Sequence, residues 1–140
     1  MRVKIIIFLV LLIPAVICSC QNDSELEFKR YYTGGAQLYK QKCQNCHGNN
    51  GEGLTSLIPP LTDTIFLKKN KNLLACIVRN GITENILTIN SKAYEGSMPA
   101  NTDMAPVDIA KVLTFITNSF GNKQGTITVD EVEKDLSTCK

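Results

Sequence analysis

Five consecutive residues, Cys43-Gln44-Asn45-Cys46-His47, concentrate the chemistry available to this 140-residue chain. Two thiols three residues apart on one helical turn can each reach a vinyl group of the same porphyrin. The next residue, His47, then turns its imidazole to the iron from the same face. C-x-x-C-H therefore reads as covalent c-type haem attachment through Cys43 and Cys46. Rival readings need other surroundings. A redox dithiol follows a strand in a βαβ pattern, and a helical pattern comes first here. A closed structural zinc site needs four ligands, but His47 is the only histidine and the other cysteines form no second C-x-x-C. A disulfide between Cys43 and Cys46 would leave His47 unexplained.

The opposite axial position of such an iron calls for a second ligand, and two methionines, Met98 and Met104, lie downstream. Local context favours Met98. Gly96 gives the backbone freedom to approach a porphyrin, and Pro99 biases Met98 toward an extended conformation. Met104 lies just before a helix opened by Pro106, where it can simply cover a core. The alternative is that both methionines only pack.

The elements that must position these groups are helical. Thr33 is a candidate N-cap for a helix from about Gly34 to Cys46, whose internal glycines allow another helix close. Gly48 to Pro60 reads as a loop, punctuated by Gly51, Gly53 and Pro59-Pro60. Asp63 can cap a helix to Lys69, and Asn70 a second over Lys71 to Asn80, with Leu73, Cys76 and Ile77 on one face and Gly81 as its stop. Ile82 to Glu95 is expected to be an extended loop or a small hairpin. Pro106 opens a helix on which Ile109, Val112, Leu113 and Ile116 recur, ending near Asn118. Thr128 and Glu131 form a capping box for a last helix, Val129 to Leu136.

From Thr33 to Gly121 the chain resembles a class I cytochrome c, most like short bacterial monohaem domains. Gly35 and Tyr39 match that family's first helix, Pro59-Pro60-Leu61 its loop beneath the haem, and Tyr94 to Ala100 its methionine loop. The resemblance implies an all-α cytochrome c fold around one covalent haem c, with electron transfer as its activity. It implies His47 and Met98 as the axial pair, and contact of Gly35 with the helix carrying Leu113 and Phe115. It also implies a proline carbonyl holding the second ring nitrogen of His47. Pro59 is the better match, with Pro60 open. Leu61, like Tyr39, Leu113 and Phe115, is assigned no function beyond walling the haem. Tyr94 either bonds near the haem or Met98 or is an ordinary half-buried tyrosine. With both axial positions filled, one-electron exchange is the natural chemistry. The rival functions are a haem enzyme or gas sensor lacking Met98 ligation, and a non-catalytic lipoprotein interaction module.

The leading segment reads as an export signal. Arg2 and Lys4 precede a short apolar run, Ile5 to Ile17, too short to span a bilayer comfortably. Ile17-Cys18-Ser19-Cys20 resembles a lipoprotein signal with Cys20 as the acylated residue, since Cys18 would follow bulky Ile17. Lipid there would hold the protein on the periplasmic side of a bacterial membrane. An uncleaved anchor and ordinary cleavage to a free product are the alternatives. The expected organisation is thus a signal peptide over 1–19, a lipidated N-terminus and tether over 20–32, a cytochrome c domain over 33–121 and a C-terminal extension over 122–140. Of six cysteines, Cys76 and Cys139 remain. They form either a disulfide, in an oxidising compartment, or a buried free Cys76 and an unpaired Cys139.

Composition bounds partners only weakly. Hydrophobic residues make up 44% and charged residues 20%, enough for one packed domain. Loss of residues 1–19 would remove Arg2 and Lys4 and no acid, leaving 13 bases against 13 acids. No basic stripe or recognition motif points to nucleic acid. Lys68, Lys69 and Lys71 form a cluster that reads as a solvated face or a docking site. The expected partners are redox proteins, such as a membrane dehydrogenase or terminal oxidase, met at the haem edge.

Overall fold

Helix formers and i,i+4 charge pairing carry the first described stretch. The computed structural model describes residues 22–83 and 87–139. Cys18, Cys20 and the expected signal lie outside the described residues. Helix α1 spans Asp23–Lys42, with Asp23 and Glu25 in its first turn and Lys40 and Lys42 in its last, where they complement the helix dipole. This corrects the start expected at Thr33, which lies inside α1, and residues 23–32 of the expected tether are helical. Two features explain the longer helix. Glu25 and Lys29 pair at 2.7 Å one turn apart. Tyr32 docks on the body of the protein, its ring 5.2 Å from that of Phe115 and its hydroxyl 3.0 Å from that of Ser119.

The short helix α2, Gln44–His47, follows directly and holds most of the C-x-x-C-H motif. After the glycine-punctuated loop, α3 spans Thr64–Lys69 and α4 Lys71–Asn80. Asp63 caps α3 as expected, its carboxylate accepting from Phe66 N at 2.8 Å. Helix α4 covers the expected residues with Asn70 at its N-cap position, but the Asn70 side chain makes no capping bond. Its amide instead donates to Phe66 O at 2.9 Å and so closes α3. The inner face of α4 is also corrected: Leu74, Ala75 and Val78 are buried, while Leu73 is 55% exposed. Leu73 lies about 100° around the helix from Leu74, outside that stripe.

Strands β1, Leu87–Ile89, and β2, Lys92–Tyr94, pair antiparallel, with Leu87 opposite Tyr94. Asn90 and Ser91 join them with φ of 50° and 64°, the left-handed pair that a two-residue hairpin turn requires. The hairpin reading therefore holds, with residues 84–86 outside the description. Helix α5, Pro106–Ile116, starts on its proline, and α6, Val129–Leu136, starts on the complete Thr128/Glu131 capping box.

The fold is mostly helical, as expected. Its centre is the crossing of α1 and α5, where Gly35 lies against the backbone of Lys111 and the side chain of Phe115. Ile109, Ala110, Val112, Leu113 and Ile116 make α5 the most buried element. The chain then turns back at Asn118, whose side-chain oxygen accepts from the backbone nitrogens of Gln124 and Gly125. This brings Ile127 and α6, with its buried Val132, against α4 and α5. Cys76 and Cys139 form a disulfide with Cα atoms 5.6 Å apart, inside the usual range. Among the described residues no helix is long and apolar enough to cross a membrane.

Candidate haem-binding site

Tyr39 anchors the attachment motif at both ends. Its carbonyl accepts from Cys43 N at 2.9 Å, and its hydroxyl donates to Gly48 O at 2.7 Å, just beyond His47. The ring is buried, 5.2 Å from Phe115 and 5.4 Å from Phe120. Between these ties one tight turn, with His47 N donating to Cys43 O at 2.9 Å, brings Cys43 and His47 to the same cleft. Cys43 is half-buried at the cleft and Cys46 is exposed. Burial pushes the Cys43 thiol up to about 11. Burial also pulls the His47 imidazole below its ordinary value, against a smaller opposing effect of its bond to Pro59.

Nδ1 of His47 lies 3.3 Å from the carbonyl oxygen of Pro59. A carbonyl can only accept, so Nδ1 carries the proton and the Nε2 lone pair is left free. The residue in contact is Pro59 rather than Pro60. Leu61, on the same loop, lines the cleft and is pinned from both sides. Its N donates to Gly51 O at 2.7 Å, and its O accepts from the buried Asn122 amide at 2.9 Å.

Met98 lies on the cleft wall with His47 and Cys43. Its backbone is bridged to Ile82 by two hydrogen bonds of 2.8 Å, and the preceding Gly96 N donates to Leu57 O at 2.9 Å. Met104 is 5% exposed within the main core and does not line the cleft. Tyr94 is buried and lines the cleft. Cys20 lies outside the described residues. Several residues carry no expectation from the sequence: Phe66, Leu74 and Val78, which line the cleft from α3 and α4 beside Ile77, and Asn122 behind Leu61. The spacing of Leu74, Ile77 and Val78 was a readable helical stripe. Asn122, a lone polar residue after a helix, carried no signal.

The space between the cleft walls is about 940 Å³ when the open, solvent-filled mouth is counted. Apolar side chains make up most of its lining, its side-chain nitrogen and sulfur donors are the His47 imidazole, the Cys43 sulfur and the Met98 thioether, and Tyr94 and Ser97 add hydroxyls. That donor set and shape fit a haem. The protein-family comparison agrees: residues 32–116 match the family described as "Cytochrome C oxidase, cbb3-type, subunit III". The chain belongs to this family and is a monohaem cytochrome c domain. It is 32% identical over 104 residues to the cytochrome c subunit of a quinone alcohol dehydrogenase from Gluconacetobacter polyoxogenes, covering 71% of this chain and 22% of that protein. It is 27% identical over 109 residues to cytochrome c-552 of Thermus thermophilus, covering 71% of this chain and 82% of that protein. The chain thus spans about a fifth of the length of the dehydrogenase subunits it matches. Covalent haem c and the electron-transfer chemistry of a cytochrome c domain follow from the family. Members of the family typically work outside the cytoplasm.

Proposed function

We propose that this domain carries single electrons on a haem joined to Cys43 and Cys46, with His47 and Met98 as axial ligands, while lipid on Cys20 holds it at the periplasmic side of a membrane. The bound haem supplies a one-electron couple. The chain's own residues bind it, exclude water and fix the ligands. Pro59 holds the His47 ring through Nδ1, which orients Nε2 and raises its basicity. Leu61 and the walls of α3 and α4 keep the cleft dry. Met98 would supply its thioether to the iron opposite His47, a soft donor that favours the reduced state and would leave small oxidants no open site. The partners are redox proteins at a membrane, a dehydrogenase or a terminal oxidase in kind, in keeping with the names of the family and of the dehydrogenase relatives. They would meet the domain at the cleft mouth through a small transient interface.

The observation that carries the ligation reading is the contrast between the two methionines: Met98 on the cleft wall with His47, Met104 in the core. Met98→Ala is expected to abolish the methionine-to-iron absorption band, lower the reduction potential and admit carbon monoxide to the reduced protein. Met104→Leu is expected to do none of these. A Met98→Ala protein that keeps the band would overturn the assignment.

A further inference from the structure

The end of α4 and the Met98 segment come together more closely than side chains allow. Gly81 terminates α4 with φ 71° and ψ −168°, a backbone region open in practice only to glycine. A Cβ at this position would overlap the Met98 carbonyl oxygen. It would also lie 2.7 Å from Ala100 N and 2.8 Å from the Pro99 carbonyl carbon. The next residue, Ile82, gives its N–H to Met98 O and takes the Met98 N–H, both at 2.8 Å. The Met98 backbone therefore rests directly on the chain leaving α4, with no side chain between them. Leu74, Ile77 and Val78 on the same helix line the cleft.

From this contact we infer that Gly81 and Ile82 form a backbone seat that positions Met98, so that the identity of residue 81 sets how firmly the thioether reaches the iron. The inference rests on the ligation reading above. A methionine on an exposed loop can swing away from its metal, and here the loop backbone is held at the ligand residue itself. Any side chain at position 81 pushes the Met98 carbonyl outward, away from α4, and strains both bridge hydrogen bonds. His47 and the two thiols are supported separately, by Tyr39 and Pro59, so they are unaffected by the seat. Gly81 and Ile82 are positioning residues, and the quantity they govern is the fraction of molecules with Met98 detached.

Gly81→Ala, made as the full holoprotein, tests this against two references. Gly125→Ala places the same side chain on another left-handed backbone, φ 80°, with nothing within 4 Å. It controls for backbone strain alone. Met98→Ala defines the fully detached limit. The readouts are the methionine-to-iron band, the reduction potential and the apparent affinity of the reduced protein for carbon monoxide. If detachment gates carbon monoxide, its apparent affinity rises in proportion to the detached fraction, and we expect about tenfold or more for Gly81→Ala. The potential should shift toward that of Met98→Ala, and Gly125→Ala should match the parent. A Gly81→Ala protein with parental band, potential and carbon monoxide affinity overturns the inference while leaving Met98 as ligand. A parental band in Met98→Ala overturns the ligation reading instead. Should Gly81→Ala give no folded holoprotein, Ile82→Pro decides. It deletes the N–H donated to Met98 O and leaves the glycine in place. Because the Ile82 side chain also lines the cleft, Ile82→Ala is the reference: loss of the band in the proline variant alone supports the seat, and loss in both or in neither rejects it.

Discussion

Tyr39 shows how much one side chain behind the haem motif contributes. Its hydroxyl is buried and bonded to Gly48 O at 2.7 Å, and burial pushes it from 10.0 up to about 12. The folded chain therefore keeps its phenol proton to a higher pH than the unfolded chain does. Between pH 10 and about 12 the unfolded state loses that proton first, so folding stability from this group falls as pH rises. Denaturant titrations of the holoprotein across this window should show a loss on the order of 1–2 kcal/mol that is absent in Tyr39→Phe. At neutral pH Tyr39→Phe should instead be the weaker protein by about 1–3 kcal/mol, because Gly48 O loses its donor. At this scale much was legible. The C-x-x-C-H residues and Met98 stand out by residue type and local context, and Pro59 through the family resemblance; Cys43, His47, Pro59 and Met98 line one cleft. Asn122 and Gly81 do not stand out in this way, since each acts on a backbone group far along the chain.

At the scale of elements, the α1/α5 crossing decides how firmly the motif is held, because α1 runs directly into Cys43. Adjacent glycines face this crossing with opposite consequences. A Cβ at Gly35 would overlap the Lys111 carbonyl oxygen and lie 2.8 Å from the Phe115 side chain, whereas at Gly34 it would meet only the Lys111 side chain at 3.2 Å. Gly35→Ala must push two backbones apart, and we expect it to lower unfolding free energy by about 1–3 kcal/mol or more. Gly34→Ala displaces a flexible methylene chain while gaining up to about 1 kcal/mol of helix propensity, and should be neutral or slightly stabilising. Thermal unfolding of the two holoproteins separates the outcomes. The sequence made the crossing visible through its glycines and the periodicity of α5. Helix starts were read where a capping side chain truly makes its bond, at Asp63 and Thr128. The start at Lys71 also falls where expected, although the Asn70 side chain makes no capping bond, and only the start at Thr33 differs, because Thr33 lies inside α1. A capping residue type is permissive, and only the local geometry decides whether the bond forms.

Across the whole molecule, the segment beyond residue 121 is part of the core although it lies outside the matched residues 32–116. Ile127 and Val132 are buried, and the backbone N–H of Ile127 is taken by the buried Thr114 hydroxyl at 3.0 Å. Little of this was legible beyond the capping box, because an apolar residue in a tail does not state what it will cover. The disulfide was legible only as one of two fates for the thiols left over. It matters because of what it encloses. Cys76 and Cys139 are 63 residues apart, and the closed loop contains the hairpin, Met98, α5 and α6. Removing the cross-link lets the unfolded chain regain the freedom of that loop, worth about 4 kcal/mol on a chain-entropy estimate against a typical observed range of about 2–4. Neither cysteine lines the haem cleft, so the ligands themselves should not feel the change. We therefore expect the Cys76→Ala, Cys139→Ala double variant to unfold at lower denaturant by about 2–4 kcal/mol, while its methionine-to-iron band and reduction potential stay at parental values. A shifted potential in the fully folded double variant would mean instead that the bridge reaches the cleft through α4, whose Leu74, Ile77 and Val78 form part of its wall.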